Sequence, residues 1–413
     1  MKMTLDFNLD DFIRAHMTRR PESLLAGDFQ RHRGELENQL NGSRVMVIGG
    51  AGSIGSHYVK ALLRYDVASL CVVDTNENGL TELVRDLRSG GTTRVPKDFT
   101  TYPVNFRDRV FAKLFAARGP FDIVANFAAH KHVRSEKDIF SIEAMVENNV
   151  LAAHDLLAFL AEKPPQHFFC VSTDKAANPV NIMGASKKLM EEMIMAYAGR
   201  MPVKTARFAN VAFSNGSLPL GFLERLQKRQ PWSCPLGIRR FFVSPMEAGE
   251  LCLIASVIAQ SGGIVFPKLD EATDMIAFDR VAIDLLHALG MEADVCATEE
   301  EAIEKMAKLV GGSWGHSPSK WPVYFFESDT SGEKTFEEFY TNGETLDLET
   351  FSRLGIVTNA PRRGIAEIAS ICGELRALFA SAEATKAQVV HILRRYLPNF
   401  AHIETGKSLD QKM

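Results

Sequence analysis

The sequence lacks the features that would mark a secreted, zinc-binding or membrane-spanning protein. Its six cysteines form no CxxC pair, so we expect buried free thiols rather than a disulfide framework or a zinc site. No stretch reaches the roughly 18 apolar residues that a membrane-spanning helix requires, and the N-terminus shows no apolar core of a secretion signal. We therefore expect a soluble, cytoplasmic protein with no bound metal and no membrane contact.

An excess of positive charge is also missing. The 413 residues include 47 Lys and Arg against 51 Asp and Glu, which gives a formal net charge of −4. A nucleic-acid-binding protein is expected to carry a basic surface, so we exclude nucleic acid as a partner. Hydrophobic residues make up 46% of the chain, enough for a large core, and the length favours two closely packed lobes.

Short apolar runs alternate with helical patterns through the first half of the chain. The runs of strand length lie at 44–48, 69–74, 121–125, 168–172 and 204–208. The helical patterns lie at 55–65, 110–118, 141–162 and 185–198. This alternation is typical of an α/β protein with a doubly wound parallel sheet of the Rossmann type.

The alternation decays after about residue 213, where turn-rich segments interrupt the helices. We expect a helical N-terminal arm at 1–42, a Rossmann domain at 43–212, and a smaller, mainly substrate-binding lobe at 213–413. Within that lobe, 292–320 is predicted to be an inserted helical segment with a loop, and the chain is predicted to end in a C-terminal helix.

A glycine-rich turn follows the first predicted strand. Residues 49–55 read GGAGSIG and open a helix, so Gly49, Gly52 and Gly55 lie in a GxxGxxG frame. Small residues let the backbone approach a pyrophosphate, and the helix start presents free N–H groups of Ser53 and Ile54 to that anion. The sequence therefore predicts a dinucleotide-binding turn.

The ends of the neighbouring strands complete this predicted cofactor site. Asp74 ends the second strand, where a carboxylate can accept hydrogen bonds from the adenosine ribose and would repel a 2′-phosphate. We therefore favour NAD over NADP. Four further residues are predicted to line the cofactor: Asn105 and Phe106 after the third strand, and Ala128 and Ala129 after the fourth.

Two linked motifs identify a family. Residues 171–179 read VSTDKAANP at the end of a strand, and residues 181–188 read NIMGASKK at the start of a helix. They resemble the active-site segment of the UDP-N-acetylglucosamine 4,6-dehydratases, in the polysaccharide-biosynthesis branch of the extended short-chain dehydrogenases. The resemblance runs in order from about residue 20 to 400, through AAHKHV at 128–133, NNV at 148–150, RFANV at 207–211, RRFF at 239–242 and SGEK at 331–334.

The resemblance implies a reaction and a role for each motif residue. In such enzymes NAD oxidises C4 of the hexose, water leaves across C5 and C6, and the hydride returns to C6. By position, Thr173 would hydrogen-bond the C4 oxygen, Asp174 would be the acid at C6 and Lys175 the base at C5. The resemblance further implies five contacts to a UDP-sugar substrate: Lys131, His132, Asn210, Arg240 and Lys334.

One position departs from the usual pattern. Most short-chain dehydrogenases have Tyr-x-x-x-Lys, whereas this chain has Met183 and Lys187, and a thioether cannot take a proton from the C4 hydroxyl. Lys187 would still hold the nicotinamide ribose. Three functions stay open at this point: the dehydratase, a nucleotide-sugar 4-epimerase or other oxidoreductase, and a non-catalytic NAD-binding regulator. A homo-oligomer is also expected, since helices flanking this site commonly form dimers in the superfamily.

Overall fold

The computed structural model describes residues 7–91, 93–311, 318–327 and 338–404. Its strands are β1 Arg44–Ile48, β2 Ser69–Asp74, β3 Asp98–Pro103, β4 Ile123–Asn126, β5 His167–Val171, β6 Val203–Ala206, β7 Asn210–Val211, β8 Trp232–Pro235, β9 Arg239–Val243, β10 Ile264–Pro267, β11 Met275–Ala277, β12 Glu292–Cys296, β13 Lys320–Phe326, β14 Leu346–Asp347 and β15 Leu354–Val357.

The α-helices of the described residues are α1 Leu9–Phe12, α2 Ala26–Arg31, α3 Arg33–Leu40, α4 Ser53–Leu62, α5 Glu77–Ser89, α6 Arg109–Arg118, α7 Ile139–Val146, α8 Ala152–Leu160, α9 Ile182–Ala196, α10 Leu218–Gln227, α11 Pro245–Val257, α12 Glu271–Asp274, α13 Phe278–Ala288, α14 Glu299–Gly311, α15 Ile365–Phe379 and α16 Lys386–Tyr396. π-helical turns at Ile13–Thr18 and Glu147–Leu151 and 3₁₀ turns at Val133–Glu136 and Asp174–Ala176 lie between them.

A large sheet confirms the predicted α/β class. Its strand order is β14-β15-β10-β6-β5-β4-β1-β2-β3. The seven strands from β10 to β3 in this order run parallel to one another. At one edge β15 pairs antiparallel with β10, and β14 pairs antiparallel with β15. The chain reverses its direction of winding between β1 and β4. Ligands bind outside the carboxyl ends of the strands at such a switch point.

The large sheet extends past the boundary predicted at residue 212. Strands β10, β14 and β15 come from the part of the chain that was predicted to be mainly the substrate lobe. The rest of that part builds two three-stranded sheets, β11-β9-β7 and β12-β13-β8. The second of these corrects the interpretation of 292–320 as a helix with a loop, because β12 precedes helix α14 there and pairs in parallel with β13.

The N-terminal arm and the C-terminal helices both pack against the Rossmann core. The buried Asp28 carboxylate accepts hydrogen bonds from the backbone N–H groups of Ser352 (2.6 Å) and Arg353 (3.0 Å), which pins the arm next to β15. Helices α15 and α16 pack on α9, so the helix carrying Met183 is enclosed by its own chain.

All six cysteines are buried free thiols, as expected from the sequence. In the described ranges, no helix is both long enough and apolar enough to cross a membrane.

Candidate active site

Three glycines of the turn after β1 sit where a side chain would collide with the protein. Gly49 has a φ of +76°, and a Cβ there would lie 2.5 Å from the Ala128 backbone nitrogen. A Cβ at Gly55 would lie 2.3 Å from the Gly49 carbonyl oxygen, and one at Gly50 would lie 2.3 Å from a Val72 methyl. The turn is therefore packed tightly against β2 and the chain after β4.

Gly52 differs, because a Cβ there would meet one protein atom within 4 Å, the Gly49 carbonyl oxygen at 3.5 Å. Gly52 borders a cavity of about 280 Å³ at the carboxyl ends of β1 to β4. The predicted cofactor residues that line it are Gly49, Gly52, Asp74, Asn105, Phe106, Ala128 and Ala129. A side chain at Gly52 would occupy space that a pyrophosphate could fill.

Asp74 is held in place by backbone groups. One of its carboxylate oxygens accepts a hydrogen bond from Ala51 N and the other accepts one from Asn76 N, both at 2.9 Å. The carboxylate therefore stands at the mouth of the cavity with its orientation fixed, as a group that binds ribose hydroxyls requires.

The Ser53 hydroxyl has a protein partner that the sequence did not suggest. Its oxygen accepts a hydrogen bond from Asn215 N at 2.9 Å, which joins the first residue of α4 to the turn at 214–217. That turn is also tight against the chain after β4, since a Cβ at Gly216 would lie 2.8 Å from the His132 ring.

A second cavity, of about 230 Å³, lies beside the first. Phe127 and Ala129 line both cavities, so the two are adjacent. All five residues predicted to be catalytic line the second cavity: Thr173, Asp174, Lys175, Met183 and Lys187. Ile54 from the glycine-rich turn lines it too, together with the predicted substrate residues Lys131, His132 and Asn210.

The side chains of Thr173, Asp174 and Lys175 converge on one atom. The Thr173 hydroxyl donates to Asp174 Oδ1 at 2.8 Å, Lys175 N donates to it at 2.9 Å and Lys175 Nζ at 3.1 Å. The carboxylate is 5% exposed and the ammonium 20%. The arrangement is a largely buried ion pair with a hydroxyl on its carboxylate, at the end of β5.

Met183 lies in the first turn of α9, where it is 2% exposed. Two side chains satisfy free N–H groups at the start of this helix: the Asn181 side chain accepts from Gly184 N at 2.7 Å, and the Glu136 carboxylate accepts from Met183 N at 3.0 Å. The methionine side chain thus faces the cavity from a firmly capped helix end.

Lys187 follows one helical turn later and is 4% exposed. Its Nζ donates to the Val171 carbonyl oxygen at 2.6 Å and contacts Met190 Sδ at 3.2 Å. Burial lowers the pKa of this amine, while the Cys170 thiol and the Glu191 carboxylate act in the opposite direction.

One predicted substrate residue, Arg240, does not line this cavity. Arg240 is 5% exposed on β9 and donates from NH1 to the Arg239 carbonyl oxygen at 2.9 Å. Lys334 lies outside the described residues.

Sequence reasoning missed several residues of this site. Phe127, Phe208 and the turn at 214–217 line the second cavity. Phe127 directly precedes Ala128 and Ala129, which were predicted to line the cofactor, and no function was predicted for the turn. Asn149 was also missed: its side chain exchanges hydrogen bonds of 2.8 Å with the backbone of His130 and so holds the chain after β4.

Comparison with known proteins shows the family to which this chain belongs. A family model described as "Polysaccharide biosynthesis protein" matches residues 45–312. An uncharacterized membrane protein of Methanocaldococcus jannaschii is 30% identical over 332 residues, which cover 78% of this chain and 88% of that protein. The probable polysaccharide biosynthesis protein EpsC of Bacillus subtilis is 26% identical over 325 residues, which cover 78% of this chain and 49% of EpsC. The chain therefore matches about half of EpsC's length.

One further relative is a 4,6-dehydratase by name, and two solved structures resemble this chain in fold. The UDP-N-acetylglucosamine 4,6-dehydratase (inverting) of Campylobacter jejuni is 27% identical over 240 residues, covering 56% of this chain and 68% of that enzyme. Pen from Bacillus thuringiensis superposes with a TM-score of 0.60 at 20% identity, covering 82% and 98% of the two chains. DesIV, a dTDP-glucose 4,6-dehydratase from Streptomyces venezuelae, superposes with a TM-score of 0.51 at 17% identity. The match covers 81% of this chain and 97% of DesIV. The structural likeness shows the shared Rossmann-type fold.

Proposed function

The chain belongs to the polysaccharide biosynthesis protein family, and we propose that it is an NAD-dependent 4,6-dehydratase of a UDP-linked N-acetylhexosamine such as UDP-N-acetylglucosamine. One observation carries the proposal: the Thr173–Asp174–Lys175 cluster lines a cavity that adjoins a dinucleotide-type crevice. An epimerase needs no acid at C6, whereas elimination of water needs an acid at C6 and a base at C5.

The residues of the first cavity fit NAD. The start of α4 and the open face of Gly52 suit a pyrophosphate, and the fixed Asp74 carboxylate suits a ribose diol and disfavours a 2′-phosphate. Bound there, the nicotinamide would supply a hydride acceptor for C4 and later a hydride donor for C6. Ala129, which lines both cavities, leaves room beside it at their junction.

Asp174 and Lys175 can supply both the acid and the base. With Nζ 3.1 Å from Oδ1, transfer of one proton converts the carboxylate–ammonium pair into a carboxylic acid and an amine. Both forms hold the same number of protons, so no proton from solvent is needed. Filling the cavity with a sugar excludes water and favours the neutral form, because a low dielectric disfavours separated charges. The acid then serves the C6 hydroxyl and the amine removes the C5 proton.

The remaining cavity residues position the sugar nucleotide. The Thr173 hydroxyl lies beside the pair, where it can hydrogen-bond the C4 oxygen. Lys131 and His132 from the chain after β4, with Asn210 from β7, offer donors to sugar hydroxyls or to the diphosphate. Arg240 and Lys334 remain predicted contacts to the diphosphate or the uridine.

Incubation with UDP-N-acetylglucosamine and NAD in D₂O tests the proposal. The expected product is a 4-keto-6-deoxy sugar that has lost one water and gained deuterium at C5, because the C5 proton exchanges while it resides on Lys175. A product that keeps its C6 oxygen would identify an epimerase or another oxidoreductase instead. Absence of any product in a single turnover would favour the non-catalytic regulator.

A further inference from the structure

The proposed elimination leaves one proton without an acceptor. The Asp174–Lys175 pair holds a single proton in either of its two forms. Oxidation at C4 releases a proton from the C4 hydroxyl before C5 is deprotonated. If the pair took that proton as well, Lys175 would be an ammonium at the moment when it must act as a base. A separate group must therefore receive the C4 proton, and Met183 cannot do so.

The same cavity wall contains a buried amine that no carboxylate neutralises. Lys187 is 4% exposed and forms no ion pair within the described residues. Glu191, one turn further along α9, is occupied by other groups: Arg207 donates to it at 2.8 and 2.9 Å and the Ser172 hydroxyl at 2.6 Å.

The partners of Lys187 match a neutral amine. An ammonium has three N–H donors, whereas a neutral amine has two donors and one lone pair. The Val171 carbonyl oxygen at 2.6 Å and Met190 Sδ at 3.2 Å account for two donors. The third position of the nitrogen can therefore be a lone pair that accepts a proton from the cavity, which Lys187 lines.

The electrostatic surroundings agree with this assignment. Burial lowers the pKa of Lys187, against weaker opposing effects of the Cys170 thiol and the Glu191 carboxylate. The other charged groups that line the cavity are the Asp174–Lys175 pair, which is neutral overall, and Lys131, whose own pKa burial also lowers.

On the basis of the proposed function, we propose that Lys187 is the base that receives the C4 hydroxyl proton, directly or through the Thr173 hydroxyl. The O–H bond breaks and its proton forms an N–H bond on Lys187. The C4–H bond breaks and its electron pair leaves with hydrogen as hydride to the oxidised nicotinamide, so that C4 becomes a ketone. The sugar is oxidised and NAD⁺ is reduced.

The same assignment resets the site after each turnover. Asp174 loses its proton to the departing C6 hydroxide, and Lys175 returns its proton to C5 as the hydride reaches C6. The pair is then short of one proton, and Lys187 carries one in excess. That proton has to return to the Asp174 carboxylate, and the last carrier that we propose for it is the Thr173 hydroxyl, 2.8 Å from Asp174 Oδ1.

The test separates a base from a group that only donates hydrogen bonds. Lys187→Arg keeps a cation with donors for Val171 but cannot act as a base, and Lys187→Gln keeps one donor group without charge. In NAD-loaded protein mixed with UDP-N-acetylglucosamine, we expect both variants to slow the appearance of reduced nicotinamide at least about 100-fold. The rates are compared at saturating NAD, because Lys187 is also predicted to hold the nicotinamide ribose and its variants can bind the cofactor more weakly. Lys204→Arg serves as the matched control. Lys204 is also buried, but its Nζ contacts His167 at the start of β5, whereas Lys187 Nζ bonds Val171 at the end of β5.

A second readout does not depend on turnover. In cofactor-free protein labelled with ¹³C at lysine Cε, one signal disappears in Lys187→Arg, and in the wild type that signal should titrate at a lower pH than an ordinary lysine, because burial lowers the pKa of this amine. Titration near the ordinary value, or rapid nicotinamide reduction by Lys187→Arg, would overturn the inference. These outcomes are separate from the proposed function: if the wild type reduces NAD but yields no dehydrated sugar, the dehydratase proposal fails and the role of Lys187 in C4 oxidation stands.

Discussion

Asp174 Oδ1 is the atom on which three of the residues that we propose to be catalytic meet. A threonine hydroxyl, a backbone N–H and an ammonium all donate to it within 3.1 Å. In the structure the Asp174 carboxylate and the Lys175 ammonium form an ion pair. The proton shift needed for elimination therefore has to be driven by substrate binding.

Removing either member of the pair should stop elimination while sparing C4 oxidation. Asp174→Asn cannot protonate the C6 hydroxyl and Lys175→Met cannot remove the C5 proton, so we expect the dehydration rate to fall about 10²- to 10⁴-fold in each. Nicotinamide reduction in a single turnover should persist in both, which absorbance at 340 nm measures alongside product analysis. The residual elimination activity of each variant should have a different pH–rate profile from the wild type. An unchanged profile would contradict the assigned roles.

Part of this site could be predicted from the sequence. The order Thr-Asp-Lys at a strand end, followed by Met and Lys one turn apart on a helix, predicted which five residues share a cavity. The pairing of Asp174 with Lys175 could not be predicted, because it depends on the rotamers within the 3₁₀ turn. The burial of Arg240 and the bond between Ser53 and Asn215 depend on how the second lobe folds back, for which the local sequence carries no signal.

At the scale of elements, the turn between β1 and α4 is packed closely against the chain after β4. Gly49→Ala would place a methyl group 2.5 Å from the Ala128 nitrogen in a left-handed conformation, so we expect the free energy of unfolding to fall by about 2 kcal/mol or more. Gly52→Ala is the matched control, because its Cβ has ordinary contacts. Thermal unfolding of the cofactor-free variants measures the difference; equal effects would argue against this packing.

A buried ion network joins β6, α9 and the chain at 339–344. Arg207 is fully buried, and its guanidinium donates to Glu191 and to Glu344 at 2.8 to 2.9 Å and to the Phe339 carbonyl oxygen at 2.9 Å. Burial acts to raise the pKa of Glu344, but the hydrogen bonds and charge of Arg207, the charge of Lys188 and the Thr341 N–H together lower it.

Removing one partner of this network should be costly. Glu344→Ala leaves the buried guanidinium short of a counter-charge, and we expect a loss of about 3–5 kcal/mol in the free energy of unfolding. Chemical denaturation measures it. Glu37→Ala, which breaks the exposed pair with Arg33 on α3, should have no measurable effect. A small effect at Glu344 would mean that the chain at 339–344 is held by other contacts.

The elements of the Rossmann half could be predicted better than those of the second lobe. Parallel strands buried on both faces are continuous apolar runs, and the runs at 44–48 and 69–74 match β1 and β2. Strand β12 was not predicted, since its sequence alternates acidic and small residues, and its pairing with β13 is a contact distant in the chain. The helical pattern at 141–162 is interrupted by a π-helical turn at Glu147–Leu151.

At the scale of the whole molecule, the C-terminal helices take up the surface of α9. Every residue of this helix is buried except Lys188 and Ala196, which are partly exposed, and α15 and α16 lie against it. A homo-oligomer remains a prediction, and it would have to form through a surface other than α9. Sedimentation velocity measures whether an oligomer forms.

Acid should loosen the contact between the N-terminal arm and the sheet. His167 accepts a hydrogen bond from Lys204 Nζ at 2.6 Å and donates from Nε2 to Gln39 on α3 at 2.9 Å. Burial, and then the Lys204 charge, lowers the pKa of His167 to about 4. The unfolded chain therefore binds a proton near the ordinary histidine value while the folded chain does not, so stability is lost as pH falls from about 6.5 towards 4.

His167→Gln should make stability less sensitive to acid. After allowance for solvent screening, we expect the histidine to account for no more than about 2 kcal/mol of the loss between pH 7 and 4. Urea unfolding of the two proteins across that range measures the difference. Parallel pH curves would show that His167 is not linked to folding.

The most direct test of the central claim is a crystal structure of the protein with NAD and UDP-N-acetylglucosamine bound. We predict that the hexose fills the second cavity with its C6 hydroxyl within about 3.2 Å of the Asp174 carboxyl group, and with its C5 hydrogen facing Lys175 Nζ. The contact between those two side chains should then open. A hexose bound with C5 and C6 directed away from an intact Asp174–Lys175 pair would contradict the account.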